Sequence, residues 1–429
     1  MIKILHLTAH LGGGVGKALS GLVLQSVSSR PDINHTIVTL EEQEKPQFIE
    51  LIKSCGGEVI TCPTTKRLNE LIETSDIVQL EWWNHPVTIR CLCSLSAQPM
   101  RLLSWSHGSG LFNPTIPKKL VLASHTFLFT SKCSLENPEI TDLAAALGDQ
   151  LGVVSSSGGF DGLPEPGDNG SVSLAAGYIG SLNFAKLHPR YVDFILAVNI
   201  PRFKVRLIGD VTNKDILEQQ CVQAGRPGML EFRGYTKNVA SELVSINVLA
   251  YLLNPEHYGT TENALLEAMA MGVVPIVLDN PAERQIVDDH KTGLIVHSPD
   301  EFAEAIQWLF NNPDERQRLG SQASKSVRER FSAEKMEASL NVHYRKILYM
   351  EKREIDFSDI FGADSADWFL SCQCDKTLFA EDGSIKNANG DSLSYGLFEK
   401  SKGTAFHFSE HFPDNVKLKS WAKNLKLLQ

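Results

Sequence analysis

The segment from Glu256 to Leu278 concentrates the residues of this chain that could do chemistry. A polar loop leads into a stretch rich in Ala, Leu and Met, which predicts a helix, and Gly272 predicts its end. The apolar run 273–278 predicts a buried parallel strand. Because helix N-termini carry unpaired N–H groups and partial positive charge, the polar loop suits a phosphate group. Glu267, inside the predicted helix, is either a solvated residue or a carboxylate that binds a ligand hydroxyl.

Glu267 is followed by Ala-Met-Ala-Met and Gly272, and this run resembles the nucleotide-binding motif of family 4 glycosyltransferases, which have the GT-B fold. The motif has two glutamates separated by seven residues, and the resemblance assigns to Glu267 the second one, which binds the ribose of a nucleotide sugar. Gly259 occupies the position of the first, which contacts the transferred sugar. Glu262 lies about 140° away from Glu267 on one helix, so we do not expect it to replace the missing acid. Glu256, in the preceding loop, is the better candidate.

The composition of the chain is that of an ordinary soluble globular protein. Its 429 residues favour two or three domains, and 42% are hydrophobic and 21% charged. A net charge of −10 argues against a general nucleic-acid binder, because phosphate backbones need concentrated Lys and Arg. We find no apolar run of about 18 residues and no signal peptide. Eight scattered cysteines then predict reduced thiols and a cytoplasmic location.

Short apolar strands alternate with predicted helices, which indicates a parallel α/β fold. One series of strands covers residues 2–8, 36–40, 76–80, 101–105, 126–129 and 151–154, and a second covers 176–180, 203–208, 230–233, 248–252 and 273–278. We predict two Rossmann-like parallel-sheet domains, at residues 1–165 and 171–350, which in the GT-B fold face each other across a cleft. The Gly- and Pro-rich stretch 158–170 marks their boundary. Residues 351–429 differ in composition, resemble no family, and are predicted to form a C-terminal extension of unknown role.

The loop at residues 10–17 contains three successive glycines. It is not a P-loop, because the first glycine of the Walker pattern is missing and Ala18 follows the lysine. A flexible loop that opens a helix allows close backbone approach to phosphate or sugar. The loop resembles the first glycine loop of the family, which approaches the donor and shapes the acceptor side, so Gly13 and Gly14 are candidate donor-binding residues. The alternative is a simple strand-to-helix turn.

The strand predicted at 176–180 ends in Gly180-Ser181-Leu182, and Lys186 follows. This resembles the Gly-Arg-Leu and Lys of the family, in which the Arg and Lys bind the diphosphate. Ser181 replaces the Arg, and the lost positive charge should weaken phosphate affinity without abolishing it. Together with the predicted helix start, the resemblance gives these donor-binding candidates: Gly180, Ser181, Lys186, Gly259, Thr260, Thr261, Asn263 and Glu267.

His107 follows the strand at 101–105, and family members often have a histidine here, near the donor sugar. His107 and Glu256 are therefore the candidates for contacting the transferred sugar at the catalytic centre. For His107 a structural role at a strand end is the alternative. The tryptophans before His85 either stack on an acceptor sugar or pack between domains.

The run from His407 to His411 has the spacing of an inverted zinc-protease motif. That chemistry needs one regular helix carrying both histidines, whereas Pro413 follows at once and phenylalanines crowd the run. Adding Cys372 and Cys374 does not make a convincing structural zinc site. We therefore predict no metal site.

The C-terminal segment 416–429 predicts a basic amphipathic helix. Its apolar residues recur at helical spacing among lysines, and they are Leu418, Trp421, Leu425 and Leu428. Such a helix either lies on anionic lipid at the inner membrane face, which would suit a lipid-linked acceptor, or docks on the protein's own surface. Both alternatives remain open.

The resemblance implies a retaining, hexosyl-transferring glycosyltransferase of polysaccharide biosynthesis. It would transfer a sugar from a nucleotide diphosphate sugar to a hydroxyl of a glycan or lipid-linked acceptor, without a metal or other cofactor. Two other classes stay open. One is a GT-B sugar-nucleotide epimerase or hydrolase, and the other is a non-catalytic relative that binds nucleotide or glycan, which the missing glutamate and arginine motivate. The sequence specifies neither the base, the sugar, the acceptor nor the linkage.

Overall fold

The computed structural model describes residues 1–42, 46–167, 173–236, 238–386 and 393–429. These residues form two compact units. The first contains Met1–Gly158, Tyr258–Thr261 and Ala333–Gln429, and the second contains Gly159–His257 and Glu262–Ser332. Within the boundary segment predicted at 158–170, residues 168–170 lie outside the described ranges.

A parallel sheet with the strand order β3-β2-β1-β4-β5-β6-β7 forms the centre of the first unit. Its strands are β1 (Ile2–Thr8), β2 (Ile33–Thr39), β3 (Glu58–Thr61), β4 (Ile77–Trp82), β5 (Leu102–Ser106), β6 (Thr126–Phe129) and β7 (Leu151–Val153). The helices between them are α1 (Gly13–Ser29), α2 (Gln47–Ser54), α3 (Thr65–Thr74), α4 (Pro86–Cys93), α5 (Lys118–Ala123) and α6 (Pro138–Leu147). Because β1 lies between β2 and β4, the strand order reverses there, and ligands of open parallel sheets bind at the carboxyl ends of strands beside such a reversal.

The second unit is built on another parallel sheet, in the order β10-β9-β8-β11-β12-β13. Its strands are β8 (Ala176–Ile179), β9 (Val205–Ile208), β10 (Leu230–Gly234), β11 (Val248–Tyr251), β12 (Val274–Leu278) and β13 (Leu294–Val296). Its helices are α7 (Tyr191–Ala197), α8 (Lys214–Gln223), α9 (Val239–Leu243), α10 (Asn263–Ala270), α11 (Pro299–Asn311) and α12 (Pro313–Arg330). Gly272 ends α10 in the left-handed region, with φ of 78°, as its position in the sequence predicts. The two predicted parallel sheets are confirmed, although strands β3 and β13 were missed.

Helix α13 (Ala333–Ile347) belongs to the first unit, although the predicted second domain extended to residue 350. Met336, Leu340, Tyr344 and Ile347 lie on one face of α13 and share a hydrophobic core with residues of α1 and β1. The helical spacing of these residues predicts an apolar face. It carries no information about which unit covers that face, and this explains the difference.

Residues 351–429 also pack into the first unit. Their helices are α14 (Phe357–Phe361), α15 (Ser365–Leu370), α16 (Ala405–His411) and α17 (Val416–Lys426), and short 3₁₀ turns occur at Lys376–Leu378 and Tyr395–Phe398. The ring of Phe361 stacks on Trp82 of β4, with centroids 5.4 Å apart. The extension therefore shares a hydrophobic core with residues of β4, the central strand of the first sheet.

Helix α17 packs against the rest of the first unit through its apolar face. Contact with a lipid surface would have required the same face. Leu418, Trp421 and Leu425 are buried in the first unit, and the Trp421 indole N–H donates to the carbonyl of Ala380 at 2.9 Å. Docking on the protein's own surface, one of the two alternatives, is thus what the structure has. None of the helices in the described ranges has both the length and the apolar character needed to span a bilayer.

We expect Trp421→Ala to destabilise the first unit by about 3–5 kcal/mol, because it removes a large side chain that is only 1% exposed. Val416→Ala on the same helix is the matched control, since Val416 is 75% exposed and its truncation should change the free energy of unfolding by less than about 0.5 kcal/mol. Urea unfolding followed by circular dichroism measures both. Equal, small effects would show that α17 contributes little to the core.

Candidate functional site

A buried carboxylate, Glu81, organises the carboxyl ends of the central strands in the first unit. Its side chain is inaccessible and lies within 2.7 Å of His107 Nε2 and 3.0 Å of His6 Nδ1. The Gln79 amide donates to the same carboxylate at 2.8 Å. Burial alone would raise the pKa of Glu81, but the hydrogen bonds from His107 and His6 outweigh it and the pKa is lowered. Glu81 is therefore an ionised acceptor.

Two further histidines extend this network toward α1. His6 Nε2 lies 2.8 Å from His35 Nδ1, and His35 Nε2 lies 3.1 Å from the Ser26 hydroxyl. Burial and the neighbouring His6 hold the pKa of His35 well below its usual value, so His35 is neutral. We assign the protons accordingly: Ser26 donates to His35, His35 donates to His6, and His6 donates to Glu81. The ring nitrogens of His6 and His35 and the Ser26 hydroxyl then each have a hydrogen-bond partner, and Glu81 can also accept from His107.

His107, the histidine expected near the transferred sugar, has its tautomer fixed by Glu81. With the proton on Nε2 donated to the carboxylate, Nδ1 carries the lone pair. The side chain is 7% exposed and lies against Trp105, with ring centroids 4.8 Å apart. A carboxylate that orients an imidazole in this way produces a directed hydrogen-bond acceptor or base. Glu81 was not predicted as a site residue, although an acid inside the apolar run of β4 was a usable signal.

The glycine loop ends where α1 begins, at Gly13. Gly13 has φ of 54°, which favours glycine, and no atom lies within 4 Å of the position of an added Cβ. Gly13 and Gly14 are both exposed, and no described side chain caps the helix. The loop is thus open to close approach from solvent, as a ligand-binding loop requires.

Thr260 and Thr261, expected to bind diphosphate at a helix start, belong to the first unit, and their hydroxyl groups are bonded there. Thr130 donates to the Thr260 hydroxyl at 2.6 Å, and the Thr261 hydroxyl donates to the Thr130 carbonyl at 2.9 Å. Gly259 lies beside them, half-buried. The helix start predicted at Thr260 and Thr261 was wrong, because α10 begins at Asn263 with Glu262 as its N-cap.

Lys186, expected to bind the diphosphate, forms an ion pair in the second unit with Glu262. Its Nζ lies 2.8 Å from Glu262 Oε2, and the Tyr251 hydroxyl donates to the same oxygen at 2.7 Å. The prediction that Glu262 lies within the helix was wrong. Glu262 has φ of −79° and ψ of 86°, outside the helical region, and its side chain is buried.

His257 and Glu283 complete this buried cluster. His257 Nε2 lies 3.1 Å from Glu283 Oε2, and His257 Nδ1 lies 3.9 Å from Glu262 Oε1. Burial opposes protonation of His257, but Glu283 and Glu262 outweigh it and raise its pKa. Burial likewise opposes ionisation of Glu262, but Lys186 and His257 lower its pKa to about 2. Ligand atoms of His257, Glu262 and Glu283 lie within 4.8 Å of one another, so these side chains could also hold a metal ion.

The turn after β8 carries no arginine and lies beside an acid. Gly180 ends the strand, and the Tyr178 hydroxyl donates to the Ser181 carbonyl at 2.7 Å. The Leu182 amide donates to Asp210 at 3.2 Å. Burial raises the pKa of Asp210, but hydrogen bonds from Thr212 and Ser181 outweigh this effect and lower it. A carboxylate therefore lies next to the turn that was expected to approach diphosphate.

Asn263 and Glu267 lie four residues apart on α10 and so share one face of the helix. Asn263 Oδ1 is buried and has no hydrogen-bond partner among the described residues. Glu267 is half-buried between the buried Leu266 and Ala268. This face therefore presents two hydrogen-bond acceptors. Glu256, the candidate replacement for the missing acid, is exposed in the turn after β11.

Three histidines of the first unit form a cluster. One is the N-cap residue of α4, and the other two lie on α16 and have the spacing of the inverted zinc-protease motif. Ring nitrogens of His85, His407 and His411 lie within 4.8 Å of one another. Burial lowers the pKa of His85 to about 2 and that of His407 to about 3. Backbone amides donate to Nδ1 of His85 at 3.3 Å and to Nδ1 of His407 at 3.2 Å. The neutral rings then carry their proton on Nε2 and present N–H donors, whereas a metal requires lone pairs.

The second unit matches a known sequence family. Residues 176–326, from the start of β8 into α12, match the family described as glycosyl transferases group 1. No curated protein sequence matches the chain. The match supports the predicted resemblance at this coarser level, and membership of family 4 stays a prediction.

Solved structures share the fold over 81–82% of the chain. HepE of Anabaena, in complex with UDP and glucose, has a TM-score of 0.63 at 14% identity, covering 81% of this chain and 100% of that one. A mutant TarM of S. aureus, in complex with fondaparinux, alpha-GlcNAc-glycerol and UDP, has 0.63 at 11%, covering 82% and 100%. Sucrose-phosphate synthase of Thermosynechococcus elongatus has 0.59 at 14%, covering 81% and 99%. At these identities the likeness shows the fold, and the predicted GT-B fold is confirmed.

We expect Glu81→Gln to lower the free energy of unfolding by about 2 kcal/mol or more, because a buried carboxylate that accepts three hydrogen bonds is replaced by a neutral amide. Long-range ¹H–¹⁵N spectra should show a single Nε2–H tautomer for His107 in the parent and a mixture in the variant. Glu73→Gln, an exposed acid on α3, is the control and should change neither measurement. An unchanged His107 tautomer in Glu81→Gln would contradict the role of Glu81.

The ion pair of Glu262 predicts a pH dependence of stability. Its pKa is lowered from 4.5 to about 2, so the carboxylate contributes about 3 kcal/mol above pH 4.5, and this contribution is lost as the pH falls toward 2. Unfolding free energies of the parent and of Glu262→Gln, measured from pH 7 to pH 2.5, should therefore converge on the acid side. A constant difference across this range would show that the charge of Glu262 does not stabilise the fold.

Proposed function

We propose that this chain, whose residues 176–326 belong to the group 1 glycosyl transferases, transfers a sugar from a nucleotide diphosphate sugar to a hydroxyl group of an acceptor. The finer parts of the proposal are hexosyl transfer, retention of the anomeric configuration, a glycan or lipid-linked acceptor, and a role in polysaccharide biosynthesis. Structures of the same fold contain UDP with glucose or with glycans, which supports a donor of this class.

The observation that carries the proposal is the face of α10 that bears Asn263 and Glu267. The buried amide oxygen of Asn263, which has no hydrogen-bond partner in the described part of the chain, shares one helical face with the Glu267 carboxylate. A sugar ring with adjacent hydroxyl groups, such as ribose, supplies the matching donors, and leaving a buried acceptor unpaired costs about 1–3 kcal/mol. This face lies within the segment that matches the family.

In the first unit, the proposed contribution is made by His107 and the glycine loop. His107 accepts a hydrogen bond from a sugar hydroxyl through Nδ1, while Glu81 holds its ring. Gly13 and Gly14 allow a ligand to approach the amides at the start of α1. Glu256 stays a proposed contact of the transferred sugar, since its exposed side chain is available to a ligand. The proposal assigns no step to a metal or cofactor.

The proposed location is cytoplasmic, with peripheral contact to the inner membrane face if the acceptor is lipid-linked. On α17 the exposed lysines Lys419, Lys423 and Lys426 supply charge for anionic headgroups. The buried apolar face limits this contact to electrostatic attraction.

A specific set of observations favours a second candidate, a non-catalytic GT-B relative that binds nucleotide or glycan. Gly259 replaces one acid, Ser181 replaces the arginine, and Lys186 is paired with Glu262. This candidate predicts donor binding without transfer to any acceptor. A sugar-nucleotide epimerase or hydrolase of the same fold instead predicts turnover of the donor in the absence of an acceptor.

Thermal stabilisation by a panel of nucleoside diphosphates and their sugars identifies the donor, because ligand binding raises stability by mass action. We expect Glu267→Ala to weaken binding of that donor by about 10–100-fold, the loss typical of a hydrogen bond to a charged group. Glu304→Ala, an exposed acid on α11, is the control and should bind as the parent does.

Transfer to an acceptor, with NMR assignment of the anomeric configuration, then separates a retaining transferase from the two other classes. A Glu267→Ala variant with unchanged donor affinity would refute the assigned site. Transfer with inversion would refute retention while leaving the site intact.

A further inference from the structure

In the second unit, Lys186 lies beside the residue that precedes α10, so a lysine and a helix N-terminus occur together there. Helix N-termini attract negative charge, and lysine binds phosphate as a point charge. The lysine is already paired with a carboxylate here, although that carboxylate does not cap the first amides of α10. Glu262 is the N-cap residue of α10, and its Oε2 lies 2.8 Å from Lys186 Nζ.

The contacts of Glu262 hold its carboxylate firmly in this place. The Tyr251 hydroxyl donates to Oε2 at 2.7 Å, and His257 Nδ1 lies 3.9 Å from Oε1. Lys186 is only 21% exposed, so its charge is not dissipated into solvent. The carboxylate thus pairs with the Lys186 ammonium group in the way that a bound phosphate oxygen would.

A phosphate group that approaches Lys186 therefore meets a negative charge. To bind the lysine it must replace the carboxylate, and Glu262 is then left buried beside Tyr251 with less compensation. Glu283 cannot supply that compensation, because it is itself a carboxylate and is paired with His257. The Asp210 carboxylate next to the Ser181 turn adds negative charge in the same unit. A neutral residue at position 262 would remove the competition.

We propose that Glu262 is an internal competitor of phosphate, and that its carboxylate sets the affinity of the second unit for a diphosphate group by occupying Lys186. The inference rests on the proposed function for the choice of a nucleoside diphosphate as ligand. It adds that Glu262 lowers the affinity for diphosphate, in addition to the absence of an arginine at Ser181. The chain would then bind its donor chiefly through the acceptor face of α10 and only weakly through the diphosphate.

Isothermal titration of the full chain with pyrophosphate tests this competition without reference to transfer. We expect Glu262→Gln to bind pyrophosphate about tenfold or more tightly than the parent, because the amide keeps the shape of the side chain and removes its charge. Adding Lys186→Met to Glu262→Gln should return the affinity to that of the parent. Glu304→Gln makes the same charge change on an exposed helix and should leave the affinity unchanged.

Glu262→Asp is the second variant in case the amide disturbs folding. It keeps the charge but shortens the reach to Lys186, so it should tighten pyrophosphate binding by a smaller factor. Equal affinities of the parent, Glu262→Gln and Glu262→Asp would overturn the proposal, and weaker binding by Glu262→Gln would show that Glu262 contacts the ligand instead. A gain that survives Lys186→Met would also overturn it.

Transfer activity of the parent distinguishes a failure of the inference from a failure of the proposed function. Tight binding and transfer by the parent, with no gain in Glu262→Gln, would overturn only the competition. A gain for pyrophosphate, with no binding of any sugar nucleotide to either protein, would sustain the competition and remove the proposed donor.

Discussion

A carboxylate that is withdrawn from water must be compensated by hydrogen bonds or by opposite charge, and this constraint shapes the functional end of each unit. In the first unit Glu81 is compensated by two imidazoles and an amide, and the partners of those imidazoles reach as far as α1. In the second, Glu262 is compensated by Lys186, Tyr251 and His257. The same requirement has opposite effects in the two places. In the first unit, compensation of Glu81 orients the ring of His107, whereas in the second unit compensation of Glu262 neutralises the charge of Lys186.

The fold was predictable because its signals are local. Apolar runs of four to seven residues between helical stretches define parallel strands, and both sheets follow from them. The position of α13 was not predictable in this way. Its apolar face is visible in the sequence, but the choice between two hydrophobic cores depends on contacts between distant parts of the chain. The short strands β3 and β13 were missed because they carry few apolar residues or are very short.

The candidate site was predictable only where a motif extends over consecutive residues. The helix and strand around Glu267 form as their sequence indicates. Contacts that join separate elements were not predictable. Lys186 follows β8 and Glu262 precedes α10, so nothing in their spacing along the chain announces an ion pair. Glu262 was excluded as a replacement acid because it was counted as part of the helix. It is the capping residue of α10 and lies outside the helical region. Glu81 was not predicted either. It is an acid within an apolar strand, and its carboxylate orients the ring of His107.

The order in which the chain visits its two units has a consequence for how the protein is made. The second unit is encoded by an almost continuous stretch, residues 159–332, and only four residues within it belong elsewhere. The first unit needs both ends of the chain, because α13 completes the core of α1 and the extension shares a second hydrophobic core with β4. During synthesis the second unit therefore can fold while the first still exposes the apolar surface that α13 later covers. The nascent N-terminal sheet, although it leaves the ribosome first, therefore stays incomplete until the last helices of the chain emerge.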